Sequence, residues 1–327
     1  MGDAAREAAA ALSGAVLADR SSLGRIRMLG KDRQDLLHRL STHEIKSLAP
    51  GEGNLTALLN EKGRILDLLH ALAGADDLLL VTSAGAAERI RAWLDSYIFI
   101  EDVTLEDPGG FCLGLYGPDS PALLRRAAGG DWEDLPLWHH RPARIAGSAA
   151  RVARSFPLAG RGYLVIDAEG SAAVAEAFLA AGAVTAGAEA LERLRVAAGV
   201  PAIGSELSEE FNPWESGLDA AVSLTKGCYL GQEVVARLHH YGKVRRRLCG
   251  ILLPEPETPE PGAAVFSDGA RIGSITSAAL SPDSASAMAL AHVAIEAAQP
   301  GREVSVEAGG RRRAGRLVAL PFLPGPA

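Results

Sequence analysis

Lys226-Gly227-Cys228-Tyr229-Leu230-Gly231-Gln232-Glu233 is the segment around which the rest of the chain can be ordered. Ahead of it, Leu218, Ala220, Val222 and Leu224 alternate with Asp219, Ala221, Ser223 and Thr225, which predicts a strand with one buried face. After it, Val234, Val235 and Leu238 recur at helical spacing. Gly231 can take the N-cap, and Glu233 falls in the first turn, where the helix dipole favours an anion. Cys228 is therefore expected in the turn just before a helix N-terminus, near in sequence to Lys226, Arg237, His239 and His240. Positive potential there favours a thiolate. The same position also suits a small apolar residue tucked under a turn, and local sequence leaves both readings open.

Composition sets wider bounds. A chain of 327 residues with 48% hydrophobic content can bury a sizeable core and divides into two or three domains. A formal charge of −7 argues against general attraction to nucleic acid or to an anionic membrane. One local exception is the stretch from Gly231 to Gly250, where five cations (Arg237, Lys243, Arg245, Arg246, Arg247) face one acid, Glu233. Such a run is either a solvated face or a receptor for an anionic ligand tail. Cys112, Cys228 and Cys249 are far apart and form no metal-spaced pair, which fits a reducing cytoplasm better than a disulfide scaffold. The segment Met1 to Ala11 carries Asp3, Arg6 and Glu7 and does not read as a signal peptide. No window has the apolar length of a membrane span.

Along the chain, residues 1–14 read as a helical or disordered extension and Ser21 to Leu29 as a first strand. A helix follows Gly30-Lys31-Asp32, with Leu36, Leu37 and Leu40 on one side. Leu55 to Leu59 and Ile65 to Leu72 form an expected hairpin around Asn60-Glu61-Lys62-Gly63, with Gly63 suited to positive φ. Strands are expected at Leu78 to Thr82, Val103 to Leu105, Phe111 to Tyr116, Arg151 to Arg154 and Tyr163 to Ile166. Helices are expected at Ala84 to Tyr97, Pro121 to Ala128, Ala172 to Ala181 and Ala188 to Ala198, and Gly129 to Pro142 reads as a loop. Hairpins alternating with helices predict antiparallel α+β layers. Pro254-Glu255-Pro256-Glu257-Thr258-Pro259-Glu260-Pro261 excludes helix and central strand and marks a boundary. The short glycine-punctuated strands beyond it predict a small all-β barrel.

Three further features carry chemistry. In Asn212-Pro213-Trp214-Glu215, Asn212 can cap a helix, Pro213 take its first position and Glu215 complete a capping box, with Gly217 as terminator. Asp67, on a strand face with Ile65 and Leu69, must find a partner or shift its pKa. The doublets His139-His140 and His239-His240 diverge in direction and are poor two-ligand sets, so no metal site is expected. Arg195 reads as a helix-face arginine and Arg311-Arg312-Arg313 as an exposed hairpin edge.

The octet, continued by Ala236-Arg237, Gly242 and Arg247-Leu248, resembles the signature of YgfZ-type folate-binding proteins. These are relatives of the glycine-cleavage T-protein that support iron-sulfur enzymes. Gly30-x-Asp32, Leu37-x-x-Leu40 and Ser41-Thr42-His43-Glu44-Ile45 resemble an N-terminal element of the same family. The resemblance implies two intertwined α+β domains in residues 1–253, the second inserted near 46–130, and a C-terminal antiparallel barrel in 254–327, all around a central channel. It implies tetrahydrofolate or a one-carbon derivative as cofactor, with Glu215 on the donor edge of the pterin. Lys226, Tyr229, Gln232, Arg237 and Arg247 are the further cofactor-binding expectations, the basic group at Arg245 to Arg247 serving the glutamate tail. Cys228, near the mouth, and Asp67 are the expected reactive residues, and the implied partners are folate and iron-sulfur enzymes or assembly proteins. The resemblance points to an accessory factor more than to a turnover enzyme. The alternative is a folate-dependent aminomethyl or other one-carbon transferase, which needs an acid near the folate nitrogen. The paired aspartates expected there are reduced to Asp67-Leu68.

Overall fold

A computed structural model describes residues 3–167 and 172–323; Met1 and Gly2 of the expected N-terminal extension lie outside the described residues. Helix α1 (Ala4–Ser13) is N-capped by Asp3, which accepts from the Arg6 amide at 3.2 Å. Strand β1 (Val16–Asp19) follows and was not foreseen, being only four residues long. The chain then changes sheet. β2 (Leu23–Leu29), α2 (Arg33–Leu40), β3 (Gly53–Leu59), β4 (Ile65–Ala73), β5 (Leu78–Ala84), α3 (Ala87–Asp95) and β6 (Thr104–Glu106) build an antiparallel sheet of order β3-β4-β5-β2-β6. Leu36, Leu37 and Leu40 of α2 and Ile90 and Leu94 of α3 cover one face of it.

The chain next returns to the sheet it left. β7 (Phe111–Tyr116), α4 (Ser120–Ala128), β8 (His140–Ile145), β9 (Ser148–Ala159), β10 (Arg161–Asp167), α5 (Ala172–Ala180), β11 (Val184–Thr185) and α6 (Ala188–Ala197) complete a second sheet. Its order is β11-β1-β7-β10-β9-β8, with β1 between β11 and β7. The two α+β units are thus intertwined as expected, but the inserted sheet draws on residues 23–106 instead of 46–130. Two strands were misread: β8 lies partly in the expected loop, and β9 extends well beyond Arg151 to Arg154.

After α7 (Gln232–His240) come β12 (Arg246–Leu253), β13 (Ala264–Ser267), β14 (Ala270–Leu280), β15 (Ala287–Ala294), β16 (Glu303–Ala308) and β17 (Arg311–Val318). They close into a barrel of order β12-β15-β14-β13-β16-β17. The expected boundary at 254 is therefore corrected, because β12 is a barrel strand and the Pro/Glu stretch is a loop inside the barrel. Arg313 holds that loop through ion pairs to Glu255 and Glu257, so this arginine of the basic run is a strut and not a free edge.

Two local expectations fail for one reason. Leu218 to Thr225 is a loop with a 3-10 turn at Asp219–Ala221. Thr42 takes its hydrogen bonds, with Oγ1 donating to the Ala221 carbonyl at 2.6 Å and its own carbonyl accepting from the Ser223 amide at 2.9 Å. Asn212 to Gly217 forms turns without continuing into a helix. Each segment finds partners outside regular structure, which alternation and capping patterns do not register.

Candidate functional site

The loop carrying Cys228 is fastened on both sides of an exposed thiol. On one side, Lys226 Nζ donates to the carbonyls of His38, Ser41 and His43 at 2.5, 2.6 and 3.0 Å. These lie at and just beyond the end of α2, where carbonyls lack intrahelical partners. Burial pulls the Lys226 amine down to about 8. Its ammonium sits 5.1 Å from the ring centroid of Tyr229, which is buried among Leu59, Ile65, Phe211, Trp214 and Val235; burial pushes the Tyr229 phenol up to about 12. On the other side, the Leu230 amide donates to the Arg39 carbonyl at 3.1 Å. Gly231 then takes φ +81° ahead of α7, close against the β3–β4 turn.

Lys226 and Tyr229 therefore fasten the loop. Gln232 opens α7, its amide donating to the Tyr229 carbonyl at 3.1 Å, and Arg237 is exposed further along that helix. Arg247 is exposed at the start of the barrel and lines a separate cavity with Trp214, Gly217 and Cys249. The expected cofactor-binding residues are thus spread over several surfaces and do not converge on one pocket.

Glu215 does form the reciprocal capping interactions, although no helix follows. Its Oε2 accepts from the Asn212 amide at 3.2 Å, and Asn212 Oδ1 accepts from the amides of Trp214 and Glu215 at 3.1 and 3.2 Å. Arg64 Nη1 stands 3.5 Å from the same Oε2. No described residue engages the other carboxylate oxygen.

Between the two sheets lies a central cavity of about 110 Å³, whose walls include Arg20, His70, Ser83, Tyr116, Ser155 and Phe156. Leu68 also faces it, whereas Asp67 does not. A β-bulge between Leu58 and Leu59 in the β3–β4 ladder explains why. It puts Ile65 with Leu68 on the cavity side and leaves Asp67 on the side of Leu69, so the expected common face of Ile65 and Asp67 is corrected. Asp67 is 0% exposed. Its carboxylate accepts from Ser83 Oγ at 2.5 Å, the Ser83 amide at 3.2 Å and the Leu68 amide at 2.9 Å. Burial raises its pKa against these bonds.

The cavity residues escaped the sequence reading. His70 is held by a 2.8 Å contact from Nε2 to the Trp138 carbonyl, and burial lowers its pKa to about 4. Its Nδ1 and Arg20 Nε are buried without hydrogen-bond partners among the described residues. The available signal was a histidine two residues from Leu68 on a strand whose only other polar residue is Asp67. Arg195 does lie on a helix, pairing with Glu192 at 2.6 Å along α6, and it also reaches Glu206 at 3.3 Å, which is 0% exposed.

Residues 2–226 match the GCVT N-terminal domain, and residues 246–323 match the glycine cleavage T-protein C-terminal barrel domain. A putative chloroplastic transferase of Arabidopsis thaliana is 34% identical over 95% of this chain and 72% of its own length. An aminomethyltransferase of Geobacillus kaustophilus is 34% identical over 94% of this chain and 86% of its own. The crystal structure of glycine cleavage system aminomethyltransferase T from Bartonella henselae superposes with a TM-score of 0.87 at 24% identity, covering 98% of this chain and 89% of that one. Its α+β layers and closed C-terminal barrel are the architecture described above. The chain belongs to the glycine cleavage T-protein family, which uses tetrahydrofolate as its one-carbon carrier.

Proposed function

We propose that this chain is a tetrahydrofolate-binding accessory protein that supports the assembly or repair of iron-sulfur enzymes through Cys228. The observation that carries this reading is the contrast between its two expected reactive groups. Cys228 is presented to solvent on a loop fastened at both ends. Asp67, the acid a one-carbon transfer would use, is sealed beneath Ser83 while Leu68 faces the cavity. The octet resemblance supports the same assignment. One thiolate does not hold a cluster, which usually takes four cysteine ligands. A cluster or sulfur species at Cys228 would be shared with a partner chain or a small thiol.

A bound tetrahydrofolate would accept a one-carbon unit, and a one-carbon derivative of it would donate one. The central cavity suits a pterin ring, since its walls are mostly apolar and carry Arg20, whose Nε is an unused donor, and His70, whose Nδ1 is an unused polar atom. The volume is too small: about 110 Å³ compares with roughly 300 Å³ or more for small-molecule sites. Ring entry therefore requires the cavity to widen. Glu215, outside that cavity, offers its unengaged oxygen as a competing contact for the pterin.

Calorimetric titration of tetrahydrofolate separates the two locations. Loss of binding in His70→Ala with retention in Glu215→Gln would place the ring in the central cavity; the reverse would make Glu215 the anchor. No binding to the unmodified protein would remove folate from the reading. For the thiol, Cys228→Ala is expected to unfold at the same temperature as the parent and to abolish support of iron-sulfur enzyme activity in cells lacking their own copy. Full support by that variant would overturn the thiol role.

A second reading, a folate-dependent aminomethyl or related one-carbon transferase, is favoured by the names of the relatives. Transfer activity with tetrahydrofolate that disappears in Asp67→Asn would establish it.

A further inference from the structure

A cavity of about 760 Å³ opens between the two sheets, apart from the central one. Its size falls in the roughly 300–1,000 Å³ range of small-molecule sites. Leu79 and Ile166 line it, Val81 and Leu164 line the central cavity, and all four belong to one buried apolar cluster that walls the two spaces from each other. Most of its surface is aliphatic or proline ring, including Pro50, Leu79, Pro108, Leu135, Pro142 and Ile166.

One side is cationic. Asp77, 7% exposed, is held by Arg27 Nε at 3.2 Å and by Arg151 Nη2 at 2.9 and 3.0 Å. One carboxylate between two guanidiniums leaves an excess positive charge. Arg141 also lines the cavity and offsets Glu52. Donors remain unused. Arg27 engages Asp77 through Nε alone, with its side chain 44% exposed, and Arg151 Nη1 is buried with no partner among the described residues. His140 is 5% exposed, and its Nε2 lies 2.8 Å from the Ala73 carbonyl while Nδ1 has no partner among the described residues. Burial and Arg151 lower its pKa to about 4, so the imidazole is neutral and Nδ1 is an acceptor. Arg151 pairs with Pro142, two residues from His140 along β8, so both side chains stand on one sheet face. Arg151 Nη1 and His140 Nδ1 are both buried, so the donors a ligand can reach are the Nη groups of Arg27, which make no hydrogen bond among the described residues.

We propose that this cavity binds a small aryl carboxylate, its anionic end against Arg27 and Arg151 and its flat body against the aliphatic and proline walls. Arginine presents a planar fork that matches a carboxylate, and proline and aliphatic carbons suit a ring face.

The test is a ligand-observed NMR titration of the full chain with benzoate, with neutral benzamide alongside. Benzoate is expected to bind at millimolar concentration, as befits so small a ligand, and benzamide at least fivefold more weakly. Arg27→Gln, which leaves Asp77 paired with Arg151, is expected to weaken benzoate roughly tenfold, the scale of one charge-assisted hydrogen bond. Ala75→Trp, at an exposed position on the β4–β5 turn that lines the cavity, is expected to abolish binding by filling it. Circular dichroism of both variants confirms that they fold. Failure of benzoate to bind at millimolar concentration, equal binding of benzamide, or unchanged affinity in either variant would overturn the proposal.

Discussion

Lys226 lies in the segment that singled out this chain, and tertiary contacts define its role. Its ammonium satisfies carbonyls at the end of α2, so Lys226→Met is expected to destabilise the fold by about 1–3 kcal/mol, measured by urea denaturation. Arg39, whose carbonyl fastens Leu230, ends in the same helix, so loosening of α2 should also loosen the Cys228 loop. Buried histidines set the acid limit. His70, His140 and His292 are each lowered to about 4 from 6.5, with burial as the main cause. Between those values the unfolded chain binds protons that the folded chain does not. Their contribution is therefore complete above pH 6.5 and is lost as pH falls toward 4. Unfolding free energy is expected to drop between pH 7 and pH 5 by on the order of 2 kcal/mol per histidine. His292, stacked on Phe211 with centroids 3.6 Å apart, offers a clean check: His292→Phe should remove its share of that slope.

At the scale of elements, the junction between the β3–β4 turn and α7 is the tightest constraint on the Cys228 loop. Gly231 has φ +81°, and a Cβ there would lie 2.8 Å from the Asn60 carbonyl oxygen. Gly242, at the other end of α7, has φ +58° with nothing within 4 Å of its Cβ position. Both alanine variants incur the left-handed backbone cost of about 1–2 kcal/mol, but only Gly231→Ala also collides with backbone. Denaturant titration is expected to show Gly231→Ala as the more destabilising by at least about 1 kcal/mol. The paired turn has its own glycine: Gly63, at φ +68°, would bring a Cβ 3.1 Å from Val234. Two left-handed glycines thus let two turns meet face to face.

In the whole molecule, Glu206 couples the N-terminal units to the barrel. Buried completely, it accepts from Thr276 Oγ1 at 2.5 Å and Ser277 Oγ at 2.7 Å on β14, from the Ala202 amide at 2.9 Å, and pairs with Arg195 of α6 at 3.3 Å. Removing one partner of a buried ion pair strands the other, at a cost of about 3–5 kcal/mol. Glu206→Ala is expected to lose that much, and Glu206→Ala with Arg195→Ala less than the sum of the two single changes, as a double-mutant cycle by urea denaturation would register.

Features carried by near neighbours could be read from the sequence. The β3–β4 hairpin, α2, α3 and the short barrel strands follow from spacing, glycine and capping residues close by in the chain, because propensity and amphipathic burial act over a few residues. The octet likewise pointed to a relative of the glycine-cleavage T-protein and to a turn ahead of α7, while the exposure of Cys228 was left open. Other features depend on contacts between distant segments. Leu218 to Thr225 alternates like a strand, yet Thr42 claims its hydrogen bonds. Glu215 has the pattern of a helix cap, and its partners form without the helix. A single bulge decides that Leu68, and not Asp67, faces the cavity, since one inserted residue inverts the facing of a strand. The cavity itself, built by Arg20, His70, Tyr116 and Phe156 from separate strands and loops, exists only once two sheets pack. Local sequence therefore determined the elements and the motif, and tertiary packing decided which side chains meet, because facing and proximity are set by long-range register.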